Sequence, residues 1–460
     1  MNISFDTITQ FANFGYLIFL LTTVIFYYFF QRSFYVLLFS SIIFYASFSF
    51  QYCFLFLLIC LINYLFGILI EKYRKTSIFV FAIVCNILVL IYFRYTGFFL
   101  ENIGFLIPAN SSRLFIDIVV PLGISFFLFE FLHYLIDVYR GSLAIKNFGK
   151  FVLFPFFFPS QIAGPIKRYE LFLPQISQTK RIDWNLVEDG IFLLVKGFFK
   201  KIVIADNLLL LVEPGFTGNA DTLTTLVSVY AFTFQIFFDF SGYTDIGRGS
   251  AALFGIKIPI NFNQPYLATN IQEFWRRWHM TLMSWFRDYL YIPLGGSRKG
   301  NVRQFINTMI VFSVSGLWHG AAWHFVLWGV YNGILVSIAR LFSFKNKYYT
   351  FRFIRLVFLI FTFQLVSFGW ILFRAKDLAT IYGMITQIVT FQFGQFVFTP
   401  HIIFMILLLL LYLCNGIVSQ SIVRYKNISW MYRIFSYGVA IIFIVLNMDL
   451  VVNQFIYFQF

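Results

Sequence analysis

Three stretches near the start decide the fold: FGYLIFLLTTVIFYYFF (Phe14–Phe30), SFYVLLFSSIIFYASFSF (Ser33–Phe50) and CFLFLLICLINYLFGILI (Cys53–Ile70). A membrane-crossing helix needs about 20 apolar residues to span a hydrocarbon core of about 30 Å. Each stretch is long enough or nearly so, and carries almost no charge. Inside lipid a helix satisfies its own backbone N–H and C=O groups, whereas isolated strand or coil leaves them unpaired. No alternating strand pattern suggests a barrel. The first stretch is too long for a cleaved leader, has no basic residue before it and runs straight into the second.

The rest of the chain has the same texture. Of 460 residues 60% are hydrophobic, 23% aromatic and 12% charged. A soluble globular chain has about a quarter charged residues. The formal charge of +15 comes as short clusters between apolar runs, such as Lys72, Arg74 and Lys75, or Arg298, Lys299 and Arg303. Cytoplasmic loops of membrane proteins are enriched in this way. Nucleic-acid binding would need a contiguous basic patch, so no nucleic-acid partner is expected. Arg32 follows the first run while no Lys or Arg precedes Phe14, which places the N-terminus outside. Arg424, Lys426 and Arg433 precede the last run, Ile434 to Val452, and place the C-terminus outside too. Cys53, Cys60, Cys85 and Cys414 sit within apolar runs without CxxC spacing and read as small buried hydrophobes.

No linker or repeat divides residues 1–460, which read as a single integral membrane domain. Residues 120–330 differ from the flanks at 14–107 and 350–452, mixing Pro, Gly, Asp, Arg, His and Asn with apolar segments. Polar and broken backbone at membrane depth is tolerated only where protein or a water-filled cavity satisfies it, and ionisable residues there point to function.

Five histidines occur: His133, His279, His319, His324 and His401. In Ser315-Gly-Leu-Trp-His-Gly-Ala-Ala-Trp-His324, the positions three and four before His319 are Gly316 and Ser315. On a helix these share its face, so the imidazole is expected beside an open space, suited to a general base for a hydroxyl. A histidine hydrogen-bonded between packed helices is the alternative. His279 lies in Phe274-Trp-Arg-Arg-Trp-His-Met-Thr-Leu-Met-Ser-Trp-Phe-Arg-Asp288. Read as one helix, this aligns Trp275, His279, Leu282 and Phe286 on an apolar side and Arg277, Thr281, Ser284 and Asp288 on another. The arginines then suit an interfacial position, and His279 a supporting role in the same site. Phe238-Asp-Phe-Ser-Gly-Tyr-Thr-Asp-Ile-Gly-Arg248 offers Asp239, Asp245 and Arg248 as a buried ion pair or as support. Pro159–Arg168 reads as a kinked or re-entrant segment whose Lys167 and Arg168 either meet phosphates or snorkel to the interface. Glu130 and His133, at i and i+3, are close enough to pair; they either do so or line an outer funnel. HExxH, P-loop and GxSxG motifs are missing. His319 and His324 are off any common helical face, so no metal is expected.

Several of these segments, in order, resemble the membrane-bound O-acyltransferase (MBOAT) family. They are Phe238–Asp245, Asn261-Phe-Asn-Gln-Pro-Tyr266, Glu273-Phe-Trp-Arg-Arg-Trp-His279, Phe286–Gly296 and Gly316-Leu-Trp-His-Gly320. The likeness is densest over residues 120–335 and greatest to the bacterial branch of alginate and peptidoglycan O-acetyltransferase membrane subunits and teichoic-acid D-alanyl transfer proteins. It implies an all-α polytopic membrane protein in the bacterial inner membrane: a helical ring with re-entrant and amphipathic segments around a central funnel, its catalytic core at 120–335. It implies that His319 is catalytic and His279 assists. Trp318, Ser315, Asp239, Asp245, Arg276 and Arg277 are expected to line or support the site, and His324 is given no role. No cofactor is implied. The donor would be acetyl-CoA or another acyl-CoA or acyl-carrier thioester, the acceptor a glycan, and the partners membrane lipid and an extracytoplasmic SGNH-type acetyltransferase.

Phe455-Ile-Tyr-Phe-Gln-Phe460 resembles the terminal aromatic motif of these systems, which makes Tyr457 a candidate transient acyl carrier. An aromatic belt anchor is the alternative. From outside the family, a polysaccharide or lipid transporter also uses broken helices at the midplane, but internal symmetry of that kind is not visible here. A scaffold that only docks an external transferase is a third reading.

Overall fold

The structure, a computed structural model, describes residues 14–30, 33–103, 119–162, 164–176, 182–341, 352–392, 394, 398–417, 429–448 and 456. The described elements are helical. They are α1 Phe14–Phe29, α2 Ser33–Phe48, α3 Phe50–Tyr73, α4 Thr76–Leu90, α5 Thr96–Ile103, α6 Ile124–Arg140, α7 Phe148–Phe156, α8 Tyr169–Ile176, α9 Trp184–Phe198, α10 Asp206–Val212 and α11 Thr222–Leu253. After these come α12 Ile271–Arg277, α13 Met280–Phe286, α14 Gly300–His319, α15 Trp323–Leu341, α16 Arg352–Arg374, α17 Leu378–Thr390, α18 Pro400–Ile417 and α19 Trp430–Asn447. Among the described residues, five helical stretches are long and apolar enough to cross a membrane: Phe50–Tyr73, Thr76–Asn102, Thr222–Leu253, Phe353–Arg374 and Trp430–Asn447. The chain is therefore a polytopic membrane protein.

The first two apolar runs form shorter helices than the sequence suggests. Helices α1 and α2 have 16 residues each, about 24 Å at a rise of 1.5 Å per residue. The second run ends at Ser49, whose side chain caps the next helix by accepting from the Tyr52 N–H; a hydroxyl there competes with helix continuation. The third run gains what the second loses and extends to 24 residues.

Contacts divide the chain into two compact units, residues 1–194 with 243–259, and residues 195–242 with 260–460. In the first, α1 is tied by Tyr16, whose hydroxyl lies 2.7 Å from the Ser250 hydroxyl. Asn63 of α3 and Asn86 of α4 exchange side-chain hydrogen bonds at 3.2 and 2.8 Å, and each amide also donates to the carbonyl four residues before it. Such amide pairs hold helices together where burial of apolar surface offers little net drive.

Residues 157–162 and 164–167 are buried, with a short 3-10 turn at Phe158–Ser160. Lys167 corrects two expectations. It neither faces outward for a phosphate nor snorkels; it is buried and its ammonium bonds Glu130 at 2.8 Å. Glu130 is thereby taken, and His133 does not pair with it: its Nδ1 meets the Phe129 carbonyl at 3.0 Å. A full charge buried beside Lys167 outcompetes a neutral ring for the one carboxylate.

The second unit has an apolar core rich in Phe, Trp and Tyr, drawn from residues 204–216, from α11, α12 and α14 to α18, and from Ile456. Within it Lys201, on a π-helical turn at Phe199–Ala205, bonds both Asp206 and Asp239 at 2.9 Å.

Candidate active site

The stretch expected to be one helix through His279 is two. Helix α12 stops at Arg277, Trp278 is extended (φ −102°), and His279 sits in the left-handed region at φ 41°, ψ 54° before α13 begins. No Gly or Pro forces this break. Asn261, from the preceding loop, imposes it. Its carbonyl accepts from the Met280 N–H at 2.9 Å, and its side-chain oxygen accepts from the Thr281 N–H at 3.3 Å and the Thr281 hydroxyl at 2.6 Å. The Asn263 N–H donates to the Arg277 carbonyl at 3.0 Å. The free backbone groups at the end of α12 and the start of α13 are thus satisfied by the loop rather than by each other.

Helix α12 is held in turn by Asn270 at its N-cap and by Glu273. That carboxylate accepts from the Thr269 N–H and hydroxyl at 2.9 and 3.0 Å and from Arg277 at 2.6 Å. Burial by itself would raise the Glu273 pKa, but these donors outweigh it and hold the group below the usual carboxylate range. A non-glycine residue at positive φ costs of order 1–3 kcal/mol and persists where surrounding contacts over-determine it. His279 is such a residue.

The break turns His279 inward. It is 1% exposed, and neither ring nitrogen has a hydrogen-bond partner among the described residues. Its ring meets Phe240 of α11 edge-on at 4.7 Å and Trp318 at 6.2 Å between centroids. Trp318 also contacts its chain neighbour His319, at 4.7 Å. The two histidines therefore pack against the same indole.

His319 is the last residue of α14 and is 5% exposed. The small residues before it do not leave the expected open space. A Cβ on Gly316 would stand 2.2 Å from the Phe325 carbonyl oxygen, and one on Gly320 2.0 Å from the Phe325 ring. The glycines let α15 approach α14 closely, which brings aromatic walls to the imidazole. Trp328 lies edge-on at 5.0 Å and Phe373 of α16 at 5.1 Å. The result is an imidazole walled by aromatic rings.

The remaining expected residues fall in different places. Ser315 and Trp318 are buried on α14 with His319. Asp239 is buried on α11 and paired with Lys201, in the second unit. Asp245 belongs to the first unit and lies 3.5 Å from Arg248. Arg277 supports α12 through Glu273, and Arg276 is exposed. His324 is structural in its contacts, with Nδ1 3.2 Å from the Leu372 carbonyl. Tyr457 lies outside the described residues. Asn261, Phe240, Trp328 and Phe373 had no assigned role from sequence. Asn261 and Phe240 carried a signal, their places in the Asn261–Tyr266 and Phe238–Asp245 segments.

Residues 68–376 match the profile of MBOAT, the membrane-bound O-acyltransferase family. The chain is 34% identical over 379 residues to the peptidoglycan O-acetyltransferase of Helicobacter pylori, covering 74% of this chain and 71% of that one. It is 36% identical over 370 residues to the probable alginate O-acetylase AlgI of Azotobacter vinelandii, covering 78% and 73%. It is 31% identical over 277 residues to the teichoic acid D-alanyltransferase of Bacillus subtilis, covering 56% and 70%.

Proposed function

This chain belongs to the membrane-bound O-acyltransferase family and is an O-acyltransferase, and on that premise we propose that it moves an acetyl group from a cytoplasmic thioester, acetyl-CoA, to hydroxyls of an extracytoplasmic glycan. His319 is the general base and His279 its partner in the site. The observation that carries this reading is the pair of buried imidazoles on the Trp318 indole, with neither nitrogen of His279 bonded by any of the described residues. A buried polar group without a partner is costly, and a substrate hydroxyl or carbonyl between the two rings supplies one.

In the chemical step the neutral His319 imidazole takes the proton of an acceptor hydroxyl. The oxygen attacks the thioester carbonyl carbon, the C–S bond breaks, and the leaving thiolate receives the proton from His319. If the first acceptor is Tyr457, a glycan hydroxyl then attacks the tyrosyl ester carbon, the ester C–O bond breaks, and the phenol is restored. An acetyl group suits the relatives named for peptidoglycan and alginate acetylation. An SGNH-type transferase outside the membrane would complete delivery. The chain would lie in the bacterial inner membrane with its N-terminus and C-terminus outside, in keeping with the placement of Lys and Arg.

The test is transfer of radiolabelled acetyl from acetyl-CoA by purified protein in detergent, with the external transferase and glycan supplied. Wild type consumes donor and labels glycan; His319→Ala does neither while eluting as folded protein. Tyr457→Phe, which keeps the ring and removes the hydroxyl, loses glycan labelling. Full glycan labelling by His319→Ala would overturn the assignment of the base, and full labelling by Tyr457→Phe the carrier.

A further inference from the structure

We infer that Asp239, held by Lys201, is a latch for the backbone at Ile456 and so a positioning residue for the segment that carries Tyr457. The clause about Tyr457 rests on the carrier reading above; the latch does not. The Ile456 N–H donates to Asp239 Oδ2 at 2.8 Å, across 217 positions of sequence. Asp239 Oδ1 faces the Lys201 ammonium at 2.9 Å, and that ammonium also bonds Asp206. Lys201 and Asp239 are both buried. A buried charge is costly unless it is paired and further satisfied by donors, and a peptide N–H aimed at a carboxylate forms one of the stronger hydrogen bonds. Ile456 itself is buried in the aromatic core of the second unit.

The location links the latch to the site. Asp239 is followed on α11 by Phe240, whose ring packs on His279. Ile456 is followed by Tyr457, one Cα–Cα step of about 3.8 Å along the chain. Fixing the peptide at Ile456 thus ties that residue to α11, the element that supports His279. The Lys201-bearing turn is π-helical, a distortion that often marks functional positions in helices.

Both carboxylate oxygens of Asp239 face donors, so Asp239→Asn is diagnostic. Its amide must point an N–H at either the Lys201 ammonium or the Ile456 N–H. Ile456→Pro removes the donor from the other side and leaves Asp239 and Lys201 in place, which keeps the test open if Asp239→Asn fails to fold; because it also removes a buried side chain, Ile456→Ala, which keeps the N–H, is its control. Amide hydrogen exchange of full-length protein in detergent is the readout, together with acetyl transfer. Exchange at residues 457–460 should accelerate about tenfold in both variants, with exchange in residues 300–319 unchanged and glycan labelling reduced. Unchanged exchange in both variants would overturn the latch, whatever transfer does. Faster exchange with undiminished labelling would keep the latch and overturn the carrier reading instead.

Discussion

His133 in the first unit and His279 in the second are both almost fully buried, at 0% and 1% exposed, yet their surroundings have opposite character. His133 lies within a continuous helix, α6, where the carbonyl one turn back meets its Nδ1 and the Tyr169 ring stacks on it at 6.2 Å. The neighbouring charges, Glu130 and Lys167, satisfy each other. His279 sits between two helices, in a strained backbone conformation, with nothing from the described protein on either nitrogen. Burial alone therefore says little about what a histidine does. The decisive quantity is how much of its hydrogen-bonding capacity the fold has already used.

The comparison can be broken most directly at the histidine that shares Trp318 with His279. His319→Ala should lower acetyl transfer by about 10²–10⁴-fold, the usual contribution of a positioned acid–base group, measured as single-turnover donor consumption. A smaller effect, about 10²-fold in the same assay, is expected for His279→Asn. Asn tolerates the left-handed backbone better than most residues, so this variant should elute and melt like wild type. Gly316→Ala drives a methyl into the Phe325 carbonyl. It should cost about 1–3 kcal/mol of stability, read as a lower thermal midpoint in detergent, with transfer falling as α14 and α15 separate. The smallest change sharpens the contrast. His133→Gln should cost about 1 kcal/mol through its local hydrogen bond and change transfer per folded molecule by less than about twofold. A hundredfold loss of transfer there would mean that the two buried histidines do not differ as their partners suggest.

Much of this was legible in the sequence because it depends on local chemistry. Long uncharged runs give helices in lipid whatever their neighbours do. The Gly-Leu-Trp-His-Gly run carries His319 and Trp318 on adjacent positions, and both indeed lie in one buried cluster. What could not be read depends on residues far apart in sequence. The break at His279 comes from Asn261, eighteen positions earlier, acting through backbone bonds that no helical periodicity reveals. Gly316 and Gly320 look like open space in sequence because the group that fills it, Phe325, belongs to the next helix. Phe373 reaches His319 from α16. Lys167 was ambiguous between two outward-facing roles because its partner lies 37 positions away. Ser49, by contrast, was a local signal, a capping residue ahead of a long apolar stretch.

The reciprocal bond between Asn63 and Asn86 constrains how this protein can change over time. Each amide serves as both giver and receiver for the other, so losing either one leaves its twin holding only the carbonyl on its own helix. Interhelical contacts of this kind are each worth about 0.6–2 kcal/mol. A lineage exchanging one asparagine for leucine would pass through a weaker intermediate, and a second exchange at the facing position would then be the smaller step. Sequences descended from such an ancestor should carry both amides or neither, so the two positions would drift as one inherited unit.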